Sequence, residues 1–351
     1  MNSIERVRAA IERGPVDRIP KGEFLVEKGF IEAFMRMTGD LGTHNSLDEA
    51  VEIEFYRRLK LDLVCIHANK LITNHMVSSN KSSHIEHWKN EKFFIFSVID
   101  GAFQTLMCQR GFLGYLKEIA QQPDRAVEEM KRLSQKLVPQ IEQIISSGVH
   151  GIIIADDIAY DQGTYVSPTF IRQYLLPCWQ EQVHAVRELG VPIFFHSDGN
   201  INTILPTIME AGFDGLQCIE PAAGMDIGEV KGKLGKDLCI MGNIDPALLY
   251  PGKNSGTSAN SGSLRQPHRD RFPELARAVK DLISAAAPGG GFIFGTCSGL
   301  HSALSPEKVL FMYELADKVG ARREVRQSTS SKKLTGANSS RAHANPEGTN
   351  P

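Results

Sequence analysis

Short apolar runs recur along the chain: RIPKGEF (18–24), LDLVCIH (61–67), KFFIFSVI (92–99), GIIIAD (151–156), VPIFFH (191–196), FDGLQCI (213–219), DLCIMG (237–242) and GFIFGT (291–296). Each is rich in Ile, Val, Phe or Leu and bounded by Gly, Pro or Asp. Strands buried on both faces read this way, because a parallel sheet covered by helices has no polar face. The intervals carry helical signals. DEAVEIEFYRRL (48–59) follows Ser46, a capping residue type. PDRAVEEMKRLSQKLVPQIEQIISSG (123–148) has apolar residues at three- and four-residue steps and stops at Gly148. SPTFIRQYLLPCWQEQVHAVRELG (167–190) opens on Ser-Pro, a cap followed by proline at the first helical position, and closes at Gly190. Strand then helix, eight times over, predicts a closed (β/α)8 TIM barrel. A doubly wound open sheet is the alternative, but no GxGxxG follows the first run. The third run is the weakest, since VIDGAFQTLMCQRG also reads as irregular.

Two stretches break the pattern. PGKNSGTSANSGSLRQPHRD (251–270) has the composition of a long flexible surface insertion, and 323–351 has almost no large apolar residue and reads as a disordered tail. One barrel domain over 1–322 is therefore expected. The 351 residues are 42% hydrophobic and 23% charged, ordinary for a soluble globular chain. A formal net charge of −2 supplies no field for nucleic acid or an anionic membrane. The N-terminus is charged from the start and no run reaches membrane-spanning length, which predicts a cytoplasmic protein. Six cysteines without a CxxC pair argue against disulfides and zinc fingers. Any metal site must be assembled from distant positions.

In a barrel, chemistry belongs at the C-terminal ends of the strands. The fourth run ends in ADDIAY, with Asp156, Asp157 and Tyr160. The fifth ends in His196 and Asp198, the sixth in Cys218 and Glu220, the seventh in Asn243 and Asp245, and the eighth in Cys297 and His301. Five successive strand ends thus carry groups that bind metals or move protons. His196, Glu220 and Cys297 are the expected metal ligands, with Asp198 close by, because zinc takes nitrogen, oxygen and sulfur donors. Asp156, Asp157, Tyr160, Asp198 and Asp245 are the expected catalytic groups, and Asn243 and His301 the expected cofactor contacts. Each has a plainer reading when taken alone. His196 reads as a hydrogen-bonded turn residue, Asp198 as a helix cap, Cys297 as packing, and Asp156–Asp157 as a solvated pair.

The chain resembles the uroporphyrinogen decarboxylase superfamily, and within it the cobalamin-dependent methyltransferase branch, over about residues 3–320. The resemblance rests on RVRAAIERGPVDRIP, ADDIAYDQGTYVSPTFIRQYLLP, HSDGNI, GLQCIEPAAGMD, MGNID and GTCSGLHSALSPEKVLFMYELADKVG. It implies a (β/α)8 barrel. For the methyltransferases it implies zinc held by a His-x-Cys pair, a later Cys near the last strand and an intervening Glu, here His196, Asp198, Cys297 and Glu220. Asp198 stands where that motif has cysteine. A set with fewer sulfurs is harder and more Lewis acidic, suiting a methoxy, hydroxyl or amine substrate better than a thiol.

The implied function is methyl transfer between a small methylated substrate and a corrinoid carried by a partner protein, with a homodimer in keeping with the superfamily. Cofactor-free decarboxylation of a porphyrinogen is the second reading. That substrate is rich in carboxylates and wants arginine, yet after the first run Arg36 is the one arginine of EFLVEKGFIEAFMRMTGD. The third reading is a non-catalytic barrel with a degenerate site, and Asp198 is the residue that favours it.

Overall fold

Seven of the eight runs form one parallel sheet. The computed structural model describes residues 1–39, 48–68, 82–252 and 272–321. The tail 323–351, nearly all of 251–270 and Ser46 lie outside the described residues. The strands are β1 (Leu63–His67), β2 (Phe94–Asp100), β3 (Gly151–Ala155), β6 (Ile193–His196), β7 (Gly215–Gln217), β8 (Cys239–Ile244) and β9 (Phe292–Thr296), paired in that order. An antiparallel hairpin, β4 (Ala159–Tyr160) and β5 (Gly163–Thr164), follows β3. The third run is regular after all: β2 leads directly into the helix Ala102–Arg110.

The first run, 18–24, is not a continuous strand. Lys21 makes a single parallel bridge with Phe294, and Val26, just beyond the run, makes another with Leu300. Phe294 N donates to Pro20 O at 2.8 Å, and Gly22 N donates to Phe294 O at 3.0 Å. On the other side Asp62 N donates to Lys21 O at 2.7 Å. The segment therefore fills the eighth position, between β9 and β1, and closes the barrel. Pro20 has no N–H to give, so no unbroken ladder runs through it. The seam is tight: a Cβ on Gly295 would stand 2.1 Å from Gly22 O.

Alternation along the strands sorts the core into two layers. Phe94, Phe96 and Val98 of β2, Ile153 and Ala155 of β3, and Phe194 of β6 pack inside the barrel. Their neighbours Ile95, Ile152, Ile154 and Phe195 pack outward against the helices. The helix Ser3–Ile11 seals one end with Val7, Ala10 and Ile11, which join the inner layer. A capping box starts it, Glu5 N donating to Asn2 Oδ1 and Asn2 N to Glu5 Oε2. The helix Glu49–Leu59 is capped by Asp48, whose side chain accepts from Val51 N at 2.9 Å. The long helix Pro123–Ser146 matches its apolar stripe, and the chain turns at Gly148 with φ +97°. The helical segment after Ser167 contains a π turn, Ile171–Leu175, just before Pro177, where one backbone donor is missing. Among the described residues, no helix is long and apolar enough to cross a membrane.

Candidate metal centre

The inward register of the strands decides what reaches the open end. On β6, Phe194 points inward, so His196 does too. The same step on β3, from Ile153 to Ala155, carries Asp157 to the mouth and leaves Asp156 facing outward. On β7 it brings Gln217 inward beside His196.

His196 is 3% exposed. Its ring stacks on Phe24 at a centroid distance of 4.0 Å, and the other side of Phe24 meets His67, at the end of β1, edge-on at 5.5 Å. His196 Nδ1 is hydrogen-bonded to Gln217 Oε1. Gln217 Nε2 donates to the carbonyl of Cys297 at 2.8 Å. A carbonyl only accepts, so the amide nitrogen must face it and the amide oxygen must face the imidazole. Nδ1 therefore carries the hydrogen, and Nε2 is free to act as a ligand or a base. Nε2 lies 3.4 Å from Asp157 Oδ1. Two lone pairs at that distance repel unless a proton or a metal ion lies between them.

Asp198 joins the two halves of the site. Its N–H donates to Asp157 Oδ1 at 3.0 Å, and its Oδ1 accepts from Cys218 Sγ at 3.2 Å. Gly199 N donates to Glu220 Oε2 at 2.8 Å. Gly199 has φ +84°, and a Cβ there would come within 2.5 Å of the Ala159–Tyr160 backbone, so the 197–200 turn is pressed onto the hairpin. Donor atoms of Asp157, His196 and Asp198 lie within 4.8 Å of one another, and so do those of Asp198, Cys218 and Glu220. Donors 2.0–2.3 Å from a tetrahedral zinc stand roughly 3.3–3.8 Å apart. The nitrogen, oxygen and sulfur set here is of the kind zinc takes, and its closest donor spacings of 3.4 and 3.2 Å are compatible with that geometry.

The expected ligands His196, Glu220 and Cys297 do not form one group. His196 and Glu220 fall in different groups that share Asp198, and Cys297 is in neither group. Cys218 holds the place next to Asp198, with Cys297 behind it. The Cys218 thiol is pushed well above its ordinary range, first by its hydrogen bond with Cys297, then by burial, then by Asp198.

The other expected residues are spread around this cluster. The Asp156 carboxylate is fully buried, accepting from Gln104 N at 2.7 Å and from Trp179 Nε1 at 3.1 Å. Burial pushes it up to about 7 despite those bonds. It ties a helix N-terminus and an indole to the sheet and does not reach the mouth. Tyr160 is 45% exposed and stacks on Tyr165 at 5.6 Å. Burial raises the Tyr165 phenol, and the charges of Asp157, Asp198 and Glu220 add to it. Asp245 caps the short helix Pro246–Leu249 by accepting from Ala247 N at 2.8 Å. With Asn243 it lines a separate cavity of about 410 Å³ beside Pro221 and Leu282. His301 Nε2 meets the Tyr250 hydroxyl at 3.3 Å on the rim.

A family description, uroporphyrinogen decarboxylase (URO-D), matches residues 95–319. Uroporphyrinogen decarboxylase from Trichlorobacter lovleyi is 24% identical over 204 residues, which are 57% of this chain and 51% of that protein. The Geobacter sulfurreducens protein of the same name is 24% identical over 196 residues, 55% and 48% of the two chains. The chain spans about half the length of these curated relatives. A methyltransferase from Methanosarcina mazei superposes with a TM-score of 0.66 at 17% identity, covering 91% of this chain and 99% of that one. At that identity the likeness is one of fold, and it is the closed barrel described above. Since the family match runs from β2 to the final helix and takes in every strand end of the cluster, the chain belongs to the uroporphyrinogen decarboxylase superfamily of enzymes.

Proposed function

We propose that the protein is a zinc-dependent methyltransferase that moves a methyl group between a small methylated substrate and a corrinoid carried by a partner protein. The sign of the charge at the mouth carries this reading. Asp157, Asp198 and Glu220 converge there with His196, and among the described residues no Lys or Arg forms an ion pair with any of the three. Such a mouth attracts a cation and repels a polycarboxylate.

Asp198, common to both donor groups, would hold the metal, joined by His196 of one group, through the Nε2 that Gln217 leaves free, and by Glu220 of the other. When bound, zinc supplies Lewis acidity at the substrate heteroatom. Tyr160 and Tyr165 form an aromatic wall that orients the substrate. Loss of the methyl group leaves a lone pair on the heteroatom, and the Asp157 carboxylate beside His196 would handle the proton it takes. Asp156 and Asp245 support this arrangement through the helices they hold. Asn243, near the end of β8, and His301, in the segment after β9, belong to the end of the barrel over which the corrinoid would lie. Beside the hairpin, Leu113 and Phe112 are 67% and 43% exposed, an apolar ledge suited to a partner protein.

The names of the curated relatives favour a second reading, decarboxylation without a cofactor. Arg36, the one arginine of the segment after the first run, lies 3.5 Å from Glu32 with a side chain 63% exposed. Metal content separates the two readings. The purified protein should carry about one zinc per chain, and His196→Ala and Asp198→Ala should lose it. A wild type that takes up no metal when zinc is supplied would remove the methyltransferase reading. Turnover of a porphyrinogen in the presence of a chelator would replace it.

A further inference from the structure

We propose that Cys218 is the sulfur ligand of this centre, in the position that sequence reasoning gave to Cys297. The inference rests on the metal reading above. Its first ground is position. Cys218 is fully buried, its Sγ lies 3.2 Å from Asp198 Oδ1, and it shares a donor group with Asp198 and Glu220. Cys297 is in contact with the Cys218 thiol but belongs to no donor group.

The second ground is the backbone. Alternation along β7 puts Gln217 inward, so residue 218 would ordinarily point outward into the helix layer. Instead Cys218 has φ +98° and Ile219 φ +53°. Two consecutive non-glycine residues in this region are unfavourable, and such departures persist where surrounding structure enforces them. Here Asn243 Nδ2 donates to Ile219 O at 2.8 Å, and the chain packs so closely that a Cβ on Gly242 would stand 2.7 Å from Cys218 O. The turn brings the thiol round to Asp198. A fold gains nothing in packing from turning a cysteine toward carboxylates, whereas a metal does gain a donor.

The third ground is compensation. The methyltransferase motif that the sequence resembles has cysteine where this chain has Asp198. With Asp198 against Cys218, the sulfur has moved from the loop after β6 to the loop after β7. The resulting set has one sulfur among carboxylates, harder than a two-sulfur set. It matches a methyl group carried on oxygen or nitrogen, so the substrate class is a methyl ether or a methylamine.

Cobalt(II) substitution reads this directly, because a thiolate ligand adds a near-ultraviolet charge-transfer band. Cobalt-loaded wild type should show the band. Cys218→Ser should bind cobalt without it, and Cys297→Ser should keep it. Adding Asp198→Cys to Cys218→Ser should restore it. X-ray absorption of the zinc-loaded wild type, which needs no variant to fold, should show a sulfur neighbour at about 2.3 Å. A band that survives Cys218→Ser and disappears in Cys297→Ser overturns the assignment, as does a loaded wild type with no sulfur neighbour. If the wild type binds neither cobalt nor zinc, the metal reading itself fails, a result distinct from binding without sulfur.

Discussion

Gln217 decides which face of His196 is available to a cation. Its amide is locked between the Cys297 carbonyl and the imidazole, so it holds the hydrogen on Nδ1 and the lone pair on Nε2. Groups that hold the far nitrogen of a ligating histidine typically contribute 10–100-fold in metal affinity. Gln217→Leu should therefore weaken zinc binding by about that factor, measured by competition with a chromophoric chelator. Gln217→Glu keeps an acceptor at Nδ1 and should retain affinity. Equal affinities in all three proteins would mean that His196 does not bind the metal. Gln217 was not legible in the sequence as a site residue, because an amide is neither a common ligand nor a base. His196, Asp198 and Glu220 were legible as strand-end groups of metal-binding type. Asp156 and Asp157 looked equivalent in the sequence, and only the inward step from Ile153 to Ala155 separates them. Cys218 was legible as a strand-end group beside Glu220 but was not among the expected ligands, because its direction is set by a left-handed turn that no residue type announces.

At the scale of elements, the seam between the first run and β9 holds the most unusual group outside the mouth. Glu23 is 1% exposed, and its carboxylate accepts from Thr296 Oγ1 at 2.5 Å, from Thr296 N and from the Tyr313 hydroxyl. Burial pushes it from the ordinary 4.5 up to about 7 in spite of those donors. The native state thus binds this proton more tightly than the unfolded chain. Its contribution to stability is complete below about pH 4.5 and is lost as the pH rises through about 7. Asp156, also raised to about 7, acts in the same direction. Glu23→Gln removes the charge, and the Tyr313 hydroxyl can turn to accept from the new amide. The variant should lose less stability than wild type between pH 5 and pH 8, by on the order of 3 kcal/mol. Urea unfolding at the two pH values measures the difference, and parallel losses would place the proton elsewhere. The seam also shows where reading elements from sequence stops. The apolar runs located the strands because burial on both faces leaves a plain signature. The first run carries that signature only in part, since proline and glycine interrupt the ladder that its position in the barrel supplies.

At the scale of the whole molecule, the two ends of the barrel carry opposite kinds of charge. At the sealed end, Asp62 is fully buried and accepts from Arg6 at 2.7 Å, from both Arg18 guanidinium nitrogens at 2.7 Å, from Lys21 N at 2.9 Å and from Ser3 Oγ at 2.9 Å. Asp17 takes the remaining face of Arg6, whose guanidinium holds that carboxyl far below its ordinary range. Thus RVRAAIERGPVDRIP, a motif that helped to carry the resemblance, clasps the first helix to the barrel floor and touches no part of the mouth. At the open end the carboxylates have no such partners among the described residues. A barrel that keeps its paired charges at the floor and its unpaired ones at the mouth separates stability from chemistry. Asp62→Ala would take the carboxylate from Arg18 and leave Arg6, only 7% exposed, paired with Asp17 alone. Breaking a buried pair in this way costs about 3–5 kcal/mol, a drop of roughly 4–7 °C in Tm for a chain of this size. Zinc per folded chain and its affinity should stay at wild-type values, because the metal group is built from the opposite strand ends. Calorimetry beside metal analysis on the same sample makes the comparison. A variant that melts early yet binds zinc normally supports the division, and one that loses both together would show that floor and mouth are coupled through the barrel.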